Sequence, residues 1–111
     1  MDEMGVPRAI LTSTFCIAED HPSLPGHFPG CPTVPGALLL AEGLRRLELV
    51  LGRPIRCRRI DSAKFLQPVR GGARITVTLS TLSGPDATID FRVHDGLVAH
   101  VALAIDTGAA S

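Results

Sequence analysis

The sequence predicts an α+β domain in which an antiparallel sheet wraps around one central helix. Three observations carry this. Only one stretch, 37–51, repeats apolar residues at helical spacing. Several later segments alternate apolar and polar residues with the two-residue period of a half-buried strand. Turn-forming residues separate those segments at short intervals. An apolar sheet face needs a covering layer, and a lone helix is the one element on hand to supply it. The chain has 111 residues, enough for a single domain spanning 1–111 and too few for two.

The elements follow in order. Leu11, Ser13, Phe15 and Ile17 fall on one face of a first strand. His21 to Gly36 then carries prolines at 22, 25, 29, 32 and 35, and proline fixes φ and lacks an N–H, so this stretch reads as a loop. Pro35-Gly36 opens the helix, where the missing donor is harmless. Leu40, Gly43, Leu44, Leu47 and Leu51 form its apolar stripe, and Gly52 and Pro54 stop it. Its first half, Ala37 to Ala41, is apolar all round and is expected to be buried on every side. Ile55 to Phe65 reads as a long strand with a break near Asp61-Ser62. Ala73 to Leu79 and Ala87 to Val93 alternate cleanly. Asp95-Gly96 reads as a two-residue hairpin turn, and Leu97 to Ile105 as a last strand that is apolar on both faces. After the helix, the four strands are expected to form a meander.

Composition excludes several classes. Hydrophobic residues make up 45% of the chain, which suits a packed core rather than disorder. The formal net charge is zero, so nucleic acid is not an expected partner. No apolar run approaches the roughly 18 residues that span a bilayer, and the start, Met1-Asp2-Glu3-Met4, lacks a signal peptide's basic region and apolar core. A cytoplasmic protein is expected, with no membrane partner. Cys16, Cys31 and Cys57 are odd in number and lack CxxC spacing, which argues against both a disulfide framework and a zinc site. Charge is nonetheless uneven. Between Gly43 and Arg74 nine bases stand against two acids, a net of +7, and such a face can dock an acidic partner.

The most informative stretch is His27-Phe28-Pro29-Gly30-Cys31-Pro32-Thr33-Val34-Pro35-Gly36-Ala37-Leu38. It resembles the HFPG-x-P-x-x-PG-x-L signature of the 3-hydroxyacyl-[acyl-carrier-protein] dehydratase family. A second block, Ile60 to Val69, resembles that family's strand after the helix. The resemblance implies a hot-dog fold and a homodimer with its sites at the subunit interface. It implies 3-hydroxyacyl thioesters on phosphopantetheine as substrates, acyl carrier protein as the partner and no cofactor. His27 matches the histidine that abstracts the C2 proton, and Gly36 the glycine whose N–H steadies the thioester carbonyl. Phe28 and Pro35 fall at the substrate-binding positions beside them. The chemistry needs a proton donor as well, because hydroxide is a poor leaving group until protonated, and C2 is weakly acidic until its carbonyl is polarised.

In the family an acidic residue on the helix fills that third role. Its position lies five residues after Gly36, and here it is Ala41. Glu42 is next in line. At about 100° per residue it lies nearly opposite the leucine stripe, and it stands three and four residues before Arg45 and Arg46, an ordinary ion-pair spacing. A rotated helix start would instead bring Glu42 into the site. His21, His94 and His100 receive structural roles, and their spacing suggests no metal site.

Three functions follow from these residues. His27 favours a dehydratase in fatty-acid, lipid or polyketide-type synthesis. Ala41 favours a non-catalytic hot-dog subunit, binding acyl chains or stabilising an active homologue in a heterodimer. A thioesterase is the third. Arg45, Arg46 and Arg58 are the candidate carrier-docking residues, and a homodimer or larger homo-oligomer is the expected assembly.

Overall fold

The computed structural model describes residues 9–18 and 33–107 of the chain. Along the chain run β1 (Ala9–Cys16), α1 (Gly36–Leu51), β2 (Arg56–Phe65), β3 (Arg74–Thr81), β4 (Asp86–Val93) and β5 (Gly96–Asp106). The strands form one antiparallel sheet in the order β1-β3-β4-β5-β2. The alternation in β3 and β4 is the cause of their placement: Ile75, Val77, Ile89 and Phe91 point at the helix and are fully buried. β5 buries residues on both faces, as its unbroken apolar run requires.

The sheet order corrects one expectation. β3, β4 and β5 are a meander, but β2 pairs with β5 at the far edge, with Arg56 opposite Asp106 and Phe65 opposite Ala99. Residues 66–73 therefore cross the end of the sheet. Their backbone shows how: the N–H groups of Leu66 and Gln67 donate to Val98 O on β5, and that of Gly72 donates to Ile17 O beside β1. Alternation specifies that a segment is a strand, not which strand lies beside it.

The break expected near Asp61-Ser62 is a register shift between Ile60 and Ser62, and a second lies between Cys57 and Arg59. Such irregularities on an edge strand twist it away from uncontrolled pairing. The hairpin turn sits one residue earlier than expected. Val93 pairs with Gly96, so His94 and Asp95 form the loop, with φ of 51° and 67°. Positive φ at both central positions suits a two-residue hairpin, and Asp and His tolerate it better than most residues.

α1 ends as expected. Gly52 takes the left-handed conformation at φ 83°, and its N–H donates to Glu48 O at 2.8 Å. The Glu48 carboxylate also accepts from the Ile55 N–H at 2.8 Å, tying the helix end to the approach of β2. The helix face agrees with the expected stripe at Gly43 and Leu47 and differs from it elsewhere. Its buried residues are Leu39, Gly43 and Leu47, while Leu40, Leu44 and Leu51 are half-buried on the flank. Nor is the first half buried all round, since Ala37 and Ala41 are exposed. The helix covers the sheet with one side only and leaves the other open in the single subunit.

Gly43 explains the rotation. A Cβ there would lie 2.5 Å from Cε2 of Phe91 and 3.3 Å from Cγ2 of Val77, so the absent side chain is what lets the helix settle on the ring. Gly43→Ala gains about 1 kcal/mol of helix propensity but overpacks a fully buried phenyl, typically at a cost of about 1–3 kcal/mol. A net loss of roughly 1 kcal/mol is expected in urea unfolding; a stabilised variant would mean the helix is not held this close.

Candidate active site

The chain approaches the helix through Thr33, bridged to Arg70, and through the Val34 N–H, which donates to Val69 O at 2.7 Å. Pro35 is the N-cap, extended at φ −59° and ψ 145°, and provides no side-chain cap. The first helical bond runs from the Leu39 N–H to Pro35 O at 3.0 Å. A helix leaves its leading N–H groups without intrahelical partners, and its dipole makes that end a favourable place for developing negative charge. Gly36 is the first residue of this turn.

Beside it lies a cavity of about 180 Å³ walled by Val34, Leu39, Phe65, Leu66, Pro68 and Val69, with Gly36 and Gln67 at its edge. The lining side chains are apolar apart from Gln67, and polar atoms, the helix start among them, make up about as much of the lining as apolar ones. This arrangement can hold an apolar group next to a carbonyl oxygen that accepts from backbone N–H. His27 and Phe28 lie outside the described residues, as do His21 and Cys31.

The remaining candidates are spread out. Ala41 is exposed and lies about 160° around the helix from Gly43, pointing away from the chain's own sheet. A side chain there faces outward. Glu42 is half-buried on the flank, about 100° from Gly43 rather than opposite the packed face. The spacing suggested ion pairs with Arg45 and Arg46, but among the described residues Glu42 makes none.

Arg46 turns inward instead. Its guanidinium lies 5.9 Å from the centroid of the Phe15 ring, and its Nε is buried without a hydrogen-bond acceptor among the described residues. Arg45 is exposed on the outer side of α1. Arg58 is exposed on β2, where it lines a surface groove of about 420 Å³ with Arg59, Pro85 and Ala104. The three arginines thus occupy three environments. In the groove, Arg59 donates to Asp61 at 2.6 Å. That bond holds the Asp61 carboxyl below the usual carboxylate range and raises Arg59.

Sequence reasoning gave no role to Phe65, which the structure places against Gly36. The available signal was an aromatic residue ending the strand block that follows the helix. His100 is half-buried on the outer sheet face, with its Nδ1 hydrogen-bonded to Asp90 of β4. His94 sits in the hairpin turn.

The model of the ApeI-like family, described as ApeI dehydratase, matches residues 6–103. A 3-hydroxyacyl-[acyl-carrier-protein] dehydratase FabZ of Syntrophobacter fumaroxidans is 34% identical over 104 residues, covering 82% of this chain and 70% of that protein. One of Caulobacter vibrioides is 29% identical over 119 residues, covering 92% and 74%. Among solved structures, the dehydratase heterocomplex ApeI:P of Xenorhabdus doucetiae superposes with a TM-score of 0.69 at 13% identity, over 95% of this chain and 98% of that one. Five antiparallel strands around one helix are the hot-dog fold that these structural neighbours share. A family match across nearly the whole chain makes this protein a member of the ApeI-like dehydratase family.

Proposed function

We propose that the chain dehydrates 3-hydroxyacyl thioesters of acyl carrier protein to trans-2-enoyl thioesters, in fatty-acid or related lipid synthesis. The observation that carries this reading is the helix start at Gly36, without a side-chain cap, opening on a cavity lined by Val34, Leu39, Phe65 and Val69. The thioester carbonyl accepts from the Gly36 N–H, which polarises it and acidifies C2. His27 takes the C2 proton, the C2–C3 double bond forms, and the C3–O bond breaks. The departing hydroxyl collects a proton and leaves as water. Ala41 has none to give, so that proton comes from protonated His27, from Glu42 or from solvent.

The exposed arginines support the carrier as partner: Arg45 and Arg58 remain free to meet an acidic surface, while Arg46 is committed to Phe15. Enoyl product formed from a 3-hydroxyacyl carrier thioester, at a rate that falls as salt rises, is the expected assay result.

Ala41 supports a second reading, a non-catalytic subunit paired with an active homologue. The relative described as a dehydratase heterocomplex lends it weight. The assay separates the two, because a supporting subunit makes enoyl product only when its homologue is added.

Either reading requires a second hot-dog subunit. Every residue of β2 is exposed and, among the described residues, one edge of the strand is unpaired, with Ile60, Phe65 and Leu66 each about half exposed. Charged residues and two register shifts blunt this edge, but the exposed apolar group of Ile60, Phe65 and Leu66 toward its end is surface that a second subunit would cover. Sedimentation at micromolar concentration is expected to show a dimer or larger, and a stable monomer would contradict this.

A further inference from the structure

The cavity at the helix start is closed on one side by a single aromatic ring. Phe65 ends β2, and a Cβ built on Gly36 would lie 2.7 Å from its Cζ and 2.9 Å from Cε1. The tip of the ring therefore rests where a side chain at position 36 would stand. Yet Phe65 is 50% exposed, so the same ring that touches the helix start also faces outward.

The backbone around it is anchored. Phe65 pairs with Ala99, and the next two N–H groups both donate to Val98 O, at 2.8 and 3.3 Å. The opposite wall is tied by the Val34 N–H to Val69 O, and its floor is Leu39, 2% exposed. The backbone of the walls is thus tied, and of the outward-facing lining side chains Phe65, Leu66 and Gln67, the phenyl is the one that lies against Gly36. Phe65 lies outside the buried core cluster, and side-chain rotation is fast compared with loop rearrangement.

We propose that Phe65 is the specificity-determining residue for the acyl chain, a ring that bounds the cavity at Gly36 and sets the length of chain that reaches it. This rests on the proposed function only in taking an acyl thioester as the ligand. The ring lies over Gly36 in the closed arrangement. An acyl group whose carbonyl bonds to the Gly36 N–H must either fit beneath the ring or displace it. Short chains fit; long or branched chains must move it.

The test is backbone amide NMR on the full chain titrated with acyl-pantetheine thioesters of four to twelve carbons, for the wild type, Phe65→Leu and Phe65→Ala. The shift of the Gly36 amide reports carbonyl binding whether or not turnover follows. Wild type is expected to favour the shortest thioesters. Phe65→Ala is expected to move the preference between the longest and shortest chains by about tenfold or more toward the longest, as the loss of a pocket wall does. Phe65→Leu should fall between. Unfolding midpoints guard against a folding defect, and a ring acting only as packing would alter those midpoints while leaving the chain-length order unchanged. A Gly36 amide that responds to acyl thioesters with the same chain-length profile in all three proteins overturns the role of Phe65 and leaves the proposed function standing. A Gly36 amide that responds to no thioester in any of them overturns both.

Discussion

Replacing His27 with alanine is expected to lower dehydration of a 3-hydroxyacyl carrier thioester by about 10²–10⁴-fold, the usual cost of losing a positioned general base. Of the four histidines, His94 lies in the β4–β5 turn and His100 is bonded to Asp90 on the outer face of the sheet, so neither meets the helix start. His27 stands nine residues before Gly36, in the motif that carries the family resemblance. No described carboxylate lines the cavity to substitute for it. The check pairs initial rates with an unfolding curve, because a base contributes to rate and not to packing. Equal rates for wild type and His27→Ala would remove this histidine from the mechanism.

The second large effect runs in the opposite direction. Ala41→Glu is expected to raise the rate, by up to about 10²–10⁴-fold if the site is otherwise sound, because it supplies a general acid where leaving-group protonation is otherwise unassisted. Position 41 is exposed on the side of α1 that faces away from the chain's own sheet, so the new carboxyl disturbs no core contact and gains its function only beside a second subunit. Its effect is therefore tied to assembly, and dilution that dissociates the proposed dimer should cancel the gain. Glu42→Gln is the companion. It lowers the wild-type rate only where Glu42 has taken over the donor role from its flank of the helix. A wild-type rate that is already high and insensitive to both changes would show that the acid lies elsewhere. Inactivity of both wild type and Ala41→Glu would favour the supporting subunit.

What the sequence disclosed follows from how local each signal is. The Gly52 stop was legible because a left-handed helix end is a single-residue requirement. The irregularity at Asp61-Ser62 was legible because the alternation itself falters there. The edge position of β2 was not, since the crossing through residues 66–73 depends on bonds to Val98 and Ile17, far away in sequence. The helix face was legible only in part: Gly43 and Leu47 of the expected stripe are buried, whereas Leu40, Leu44 and Leu51 lie on the flank and Leu39 takes their place. The closest approach to the sheet is made by Gly43, which weighs little in any hydropathy pattern and matters through Phe91.

At the candidate site the motif singles out Gly36 but gives no sign of the ring beside it. Phe65 reaches the helix start only because β2 runs along β5 and ends level with it. The arginines show the converse. Arg45 and Arg46 look alike in sequence, yet the turn of the helix leaves one exposed and lays the other over Phe15. Charge counting cannot separate neighbours that differ by 100° of helix rotation.

The measurement that bears most directly on the proposed chemistry runs the reaction backward. A trans-2-enoyl thioester of acyl carrier protein is incubated with the purified chain in deuterium oxide, and the products are resolved by mass spectrometry. The account predicts a 3-hydroxyacyl thioester carrying one deuterium at C2, formed with wild type and not with His27→Ala. Release of free acid would identify a thioesterase, and recovery of the unchanged enoyl thioester, with Ala41→Glu equally inert, would contradict catalysis by this chain.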